Sequence, residues 1–215
     1  MPGRSSLTLN SLHKAALLCL SLVPICAMPL RASDDWKYED TRSDSREFAA
    51  GGSVHVRLSV GDMHITHGDT NKISMHYTIK SRHEKNVEEA KVDFDVRGSE
   101  ATIEFHAPSN SNTEFDVELQ VPQKTNVDVH SKVGDVTVDD IEGDKDLSLG
   151  VGDIRVSSER TGYRVVSAST GIGDVNGEGY GETRGWLGKS LKYHGDGKYE
   201  LRAHVGVGDI HLDGK

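Results

Sequence analysis

One short pattern, written five times, constrains this chain more than any other feature. It is a run of alternating apolar residues, the pair Gly-Asp, then a second apolar run on the opposite parity. The pairs are Gly61-Asp62, Gly134-Asp135, Gly152-Asp153, Gly173-Asp174 and Gly208-Asp209. Ahead of them, Val54, Val56, Leu58 and Val60 share one parity, as do Val127, Val129 and Val133. Leu147, Leu149 and Val151 do the same, and so do Leu201, Ala203, Val205 and Val207. Behind them, Met63 and Ile65, Val136 and Val138, Ile154 and Val156, and Ile210 and Leu212 fall on the other parity. The copy from Ala168 to Gly177 is weaker. Alternation with period two makes each arm a strand with one buried face. A parity change would turn the second arm inside out unless the two residues between form a turn that restores the face. Gly supplies backbone angles closed to other residues, and a short Asp side chain bonds nearby amides.

Two geometries satisfy this pattern: a tight hairpin with Gly first in its turn, or a corner in a wound β-coil whose arms face one core. The spacings 152 − 134 = 18 and 173 − 152 = 21 favour the coil, because repeats of about 20 residues typify solenoids. The expected fold is all-β, a β-solenoid with Gly-Asp corners and one short helix. Stacked hairpins or a β-sandwich are the alternatives.

The first thirty or so residues read as a secretory signal. Arg4 and Lys14 precede the apolar stretch Ala15 to Ala27, and small-residue cleavage sites follow at Ala27 or Ala32. That stretch is too short for a comfortable permanent span, so no transmembrane segment is expected after its removal. Cys19 and Cys26 both lie inside it, which leaves the mature chain without disulfides or thiolate metal sites. Removing Arg4, Lys14 and Arg31 takes the formal charge from −9 to −12. An acidic chain lacks the basic footprint of a nucleic-acid binder. The low aromatic content of 6% and the 23 glycines suit a thin aliphatic core better than a deep enzyme pocket. The organisation expected is a signal at 1–32, a polar lead-in at 33–50 that is either a mobile terminus or a cap packed on the first coil through Trp36 and Tyr38, and a β-repeat domain at 51–215. The destination is the periplasm, the cell surface or the medium.

Along the domain, Ile73, Met75, Tyr77 and Ile79 alternate, and Asn86 with Glu89 suggests a capping box over a short helix at Val87 to Lys91. Val92 to Val96 and Ala101 to Phe105 form a hairpin around Arg97-Gly98-Ser99-Glu100. Phe115, Val117, Leu119 and Val121 alternate and stop at Pro122. After Gly173 the spacing breaks, since 208 − 173 = 35. The extra length, Gly177 to Tyr199, gathers Tyr180, Arg184, Trp186, Lys189, Lys192, Tyr193, Lys198 and Tyr199. Rings beside cations suit a polar partner; alternatively the segment caps the apolar end that a solenoid must cover.

The series Phe115 to Pro122, Val127 to Val129, Gly134-Asp135-Val136-Thr137-Val138, Ile141, Gly143 and Gly152-Asp153-Ile154-Arg155-Val156 resembles the DUF4097 family of exported bacterial β-strand-repeat proteins. That family is adhesin-like and grouped with toastrack envelope domains, and the resemblance covers roughly residues 50 to 215. It implies a solenoid-like fold and an envelope location, and it brings no catalytic residues.

Other chemistry is weighed against plainer roles. One corner carboxylate per coil falls short of the six or more oxygens calcium takes, so the corner aspartates are expected to be structural. His64 and His211 share an outward place on separate coils, and His67 offers no third ligand beside His64. Asp93, Asp95, Glu104, Asp116, Glu118 and Asp128 alternate outward, where carboxylates stay solvated rather than forming an acid–base pair. The expectation is a non-catalytic, cofactor-free and metal-free module, adhesin-like or structural, whose partner is an envelope protein or polysaccharide. An envelope-stress accessory or sensor domain and a glycan-active β-helix enzyme are the alternatives. The last coil ends near Lys215, leaving an edge for self-association.

Overall fold

The computed structural model describes residues 36–69, 71–109 and 111–215. The expected leader, with both cysteines, lies outside the described residues. The strands, in chain order, begin with β1 (Tyr38–Glu47), β2 (Ser53–Val60), β3 (Met63–His67) and β4 (Lys72–Ser81), followed by the helix α1 (Glu84–Glu89). Next come β5 (Lys91–Arg97), β6 (Glu100–His106), β7 (Thr113–Val121), β8 (Asn126–Val133) and β9 (Val136–Asp139). The remainder is β10 (Lys145–Val151), β11 (Ile154–Ser158), β12 (Tyr163–Ile172), β13 (Val175–Glu178), β14 (Ser190–His194), β15 (Tyr199–Val207) and β16 (Ile210–Gly214).

These strands make two open eight-stranded sheets over one core. One runs β1-β4-β7-β3-β9-β11-β16-β13 and the other β14-β12-β15-β10-β8-β2-β6-β5. Each sheet holds six parallel strands with antiparallel strands at its margins.

Every Gly-Asp pair carries the chain from the second sheet into the first, as from β2 to β3 and from β8 to β9. Val54, Val56 and Leu58 before the corner and Met63 and Ile65 after it are all buried in the same core. The parity change is therefore a corner between sheets and not a hairpin.

A solenoid is not shown. Neither sheet closes, both are mixed, and the coils do not stack in chain order, since β15 lies between β10 and β12. The long excursion after β13 is the cause: it pairs β14 along the outer side of β12 and returns as β15 on the inner side. A two-sheet sandwich with wound corners describes the result.

Order at the corners comes from a ladder of aspartates. Asp62 Oδ1 accepts the Asp135 backbone N–H at 2.8 Å, and Asp135 accepts that of Asp153 at 2.9 Å. Asp153 accepts from Asp209 at 2.9 Å, and Asp209 from Asp174 at 2.7 Å. Each carboxylate thus satisfies an amide that the corner would otherwise leave without a partner. Asp153→Ala is expected to cost about 1–2 kcal/mol, while Asp153→Asn, which keeps Oδ1, retains most of the stability. Thermal melts of both variants with and without calcium check this. A calcium-dependent rise in melting temperature lost in Asp153→Ala would overturn the structural role.

One local expectation changes, and an open alternative is decided. The helix begins at Glu84 behind His83, and Asn86 does not cap it but donates from Nδ2 to Ser81 Oγ at 3.1 Å. Ser81 is fully buried at the end of β4 and also donates to Asn112 O, so it, and not a capping box, ties this loop. Most of the polar lead-in is the ordered edge strand β1, paired with β4 along its whole length. Arg42 on β1 donates to the carbonyls of Ala90 and Val87, which close α1 against it. The expected hairpin is present as β5 and β6, with Arg97 opposite Glu100.

Candidate functional site

Val60, Val133, Val151 and Val207 have core parity but do not reach the core. They are 39%, 43%, 48% and 45% exposed, and Ile172 is 53% exposed. Each is the residue before a corner glycine, where the chain leaves one sheet for the other and runs past the last core layer. Strand register places them in one row: Val60 beside Val133, Val133 beside Val151, Val151 beside Val207, and Val207 beside Ile172. At about 4.8 Å between strands the row is about 19 Å long.

The insertion extends this row. Arg184 and Ser190 exchange two backbone bonds of 2.8 Å, closing a small hairpin with Trp186 and Leu187 at its tip, 94% and 65% exposed. The hairpin is fastened to β12 beside Ile172. Thr170 donates its N–H to Lys189 O at 2.8 Å, the Lys189 N–H donates to Thr170 Oγ1 at 3.1 Å, and Lys189 Nζ pairs with Asp174 at 2.7 Å. The five row residues and these two are all the exposed large hydrophobics among the described residues. Single exposed apolar residues need no explanation, but a contiguous set marks an interaction site.

The row has two unlike flanks. On one side run the corner aspartates, with Arg155 reaching Asp135 at 3.3 Å and Asp153 at 3.1 Å. On the other, one residue earlier in each strand, stand Ser59, Lys132, Gly150, Gly206 and Gly171. Backbone carbonyls along the row are consumed: Val133, Val151, Val207 and Ile172 accept from Gly61, Gly134, Gly152 and Gly208 at 2.9–3.0 Å.

The structure divides the eight insertion residues expected to bind a partner. Tyr180 is only 2% exposed and packs edge-to-face on Tyr193 with ring centroids 5.4 Å apart. Tyr193 and Tyr199 pack against the core, and Leu191, two residues before Tyr193, is buried. These rings close the sandwich, so the segment is a cap as well as a display. Arg184, Trp186, Lys192 and Lys198 stay outside, and Lys189 is half-buried in its pairing with Asp174. The exposed row itself escaped sequence reasoning because parity alone places its valines inside.

A second feature also escaped it. At the other end of β10, Lys145 occupies a core position beside Val127 and Leu201 and is 2% exposed. Its Nζ donates to Tyr163 Oη at 2.6 Å, Ile141 O at 2.7 Å and Gly143 O at 3.3 Å. Ser158 and Tyr163 hydroxyls lie 3.0 Å apart. Burial lowers the lysine from 10.5 to about 8, against the pull of Asp144 and Glu142, and burial raises the Tyr163 hydroxyl. An open cleft of about 500 Å³ lies at this end, with Ile141, Ser158, Tyr163 and Tyr199 in its wall.

Of the residues considered for metals, His64 bonds to Asp139 at 2.8 Å and lies on β3, with β9 and β11 between it and β16, which carries His211. Asp62, Glu114 and Asp116 bring carboxylate oxygens within 4.8 Å of one another. Asp116 is already ion-paired with Lys80, and three carboxylates fall short of a calcium shell.

No family model matches the sequence, and no curated protein matches it. Among solved structures, a putative cell adhesion protein from Clostridium sporogenes superposes with a TM-score of 0.50 at 17% identity, over 82% of this chain and 100% of its own. A putative adhesin from Bacteroides fragilis aligns over 82% of this chain and 97% of its own, at 11% identity and a TM-score of 0.30. The Clostridium likeness, at this identity, is one of fold.

Proposed function

We propose that this chain is an adhesin-like, non-catalytic binding module of the bacterial cell envelope, reached by export, and that it belongs with the DUF4097 proteins it resembles. The observation that carries the proposal is the gathering of every exposed large hydrophobic among the described residues on one rim and its adjoining hairpin. A rigid two-sheet scaffold holds that rim, and side chains fixed on strands present a surface with little entropy left to lose on binding. The partner is an envelope protein or polysaccharide, met by Trp186 and Arg184 at the hairpin, by Lys192 on β14 and by the aliphatic row beside them.

Sedimentation of the purified protein with envelope fractions tests this, run beside a variant with Trp186, Lys189 and Lys192 changed to Ala. Circular dichroism reports folding. Saturable binding by the parent, lost at least tenfold in the folded variant, is the expected result. Folded parent and variant that both fail to sediment would remove the adhesin-like reading.

A further inference from the structure

We infer that the rim takes a basic amphipathic α-helix from another protein. The helix lays its apolar ridge along Val60, Val133, Val151, Val207 and Ile172 and turns its cations toward the aspartate row. This rests on the rim being the recognition surface proposed above.

Backbone recognition is closed at this surface. Adding a strand needs an open edge, and from Val133 to Val207 the row lies on β8, β10 and β15, each paired there on both sides. The carbonyls of Val133, Val151, Val207 and Ile172 are consumed by the corner glycines, and one oxygen of each aspartate except Asp174 is consumed by the next coil's amide. What a partner meets is aliphatic side chains and the remaining carboxylate oxygens. Against Asp62, Asp135, Asp153, Asp209 and Asp174, the cations paired with this row are Arg155 and Lys189. The row is therefore net negative, and its complement is cationic. A second copy of this chain would set one aspartate row against another.

Spacing selects the helix. Neighbouring row residues repeat at about 4.8 Å, and helix turns at about 5.4 Å, so four intervals accumulate a mismatch of about 2.4 Å. An extended peptide repeats on one face at about 6.7 Å and drifts by about 8 Å over the same length, more than a full step. About 13 helical residues cover the row. Gly150 and Gly206 carry no side chain beside it, Gly188 of the hairpin comes close to the Gly171 backbone, and Trp186 with Leu187 stands at one end. An anionic lipid surface would find the same apolar row but would be repelled by its acids.

The test titrates the purified protein against a labelled Leu/Lys amphipathic helix of that length, its Leu/Glu counterpart, and phosphatidylcholine vesicles. Saturable one-to-one binding of the Leu/Lys helix is expected, with none for Leu/Glu. The double variants Val133→Thr with Val151→Thr, and Asp135→Asn with Asp153→Asn, should each weaken binding at least tenfold without unfolding the protein. Threonine keeps the strand-favouring branch, and asparagine keeps the oxygen that the ladder uses. Equal binding by the threonine variant would reduce the effect to diffuse charge attraction and overturn the inference. If the Leu/Lys helix fails while the threonine variant loses envelope sedimentation, the helix is wrong and the rim reading stands. If neither the helix nor envelope sedimentation depends on these residues, both fall. Vesicle binding lost in Trp186→Ala, without helix binding, would put a lipid surface in the helix's place.

Discussion

Replacing Gly152 by alanine should destabilise the protein by at least about 4 kcal/mol, a fall in melting temperature of about 8–16 °C for a domain of this size. Gly152 has φ +129°, where side-chain-bearing residues are strained, and a Cβ there would be driven into the Gly134 carbonyl oxygen. That oxygen belongs to the neighbouring corner, whose own position is fixed by Gly61 and Asp62, so the clash cannot relax without opening the aspartate ladder. Gly98→Ala is the control. Its φ of +65° also disfavours alanine, but nothing lies within 4 Å of the added carbon, so about 1 kcal/mol is expected. Chemical denaturation of the two variants separates the explanations. Equal losses would mean that backbone angle alone requires glycine and that close corner stacking does not.

That contrast also shows why the corners were legible in the sequence and their order was not. A parity change across Gly-Asp is a local signal, and it forces a corner wherever both arms are to face one core. Which coil lies beside which is decided by long-range pairing. Nothing in the text of Leu201 to Val207 says that it pairs with both Leu147 and Ala168 strands rather than following the latter. The interrupted spacing after Gly173 was the one sign that the winding changes there. The rim was hidden for a related reason: Val60 and Val151 obey the alternation of buried neighbours, and only the position of the corner takes them beyond the core. Trp186, by contrast, could be found because its surroundings in the sequence are polar and basic. Tyr180 and Tyr193 share that neighbourhood yet turn inward, packing edge-to-face beside the buried Leu191.

Lys145 yields the second large effect, and its sign is opposite to that of a lysine paired with a carboxylate. The lysine is protonated in both folded and unfolded states at neutral pH, but burial lowers its folded value from 10.5 to about 8. Between pH 8 and 10.5 the unfolded chain therefore binds more protons than the folded one, so stability rises with pH across that window. The stability this group contributes is fully present above the unfolded value and is lost as pH falls through about 8. At about 1.4 kcal/mol per unit, the full gain is about 3 to 4 kcal/mol. Tyr163 works against it at the upper end. Its folded value is raised above 10.0 by burial, so the folded state holds a proton that the unfolded chain gives up, and stability falls again above pH 10. A maximum near pH 10 is expected in denaturant-derived stabilities measured from pH 7 to 11. In Lys145→Met the rise from pH 8 to 10 should vanish and leave only the fall above it. At neutral pH the variant is less informative, because removing a desolvated ammonium also takes a donor from the Ile141 and Gly143 carbonyls and leaves the Tyr163 hydroxyl with Ser158. The slope isolates the lysine; a rise that persists in the methionine variant would assign it to another group. Such a lysine, held by two loop carbonyls and a phenol without a carboxylate partner in the bond network, ties the loop end of β10 to β12 as the aspartate ladder ties the corner end.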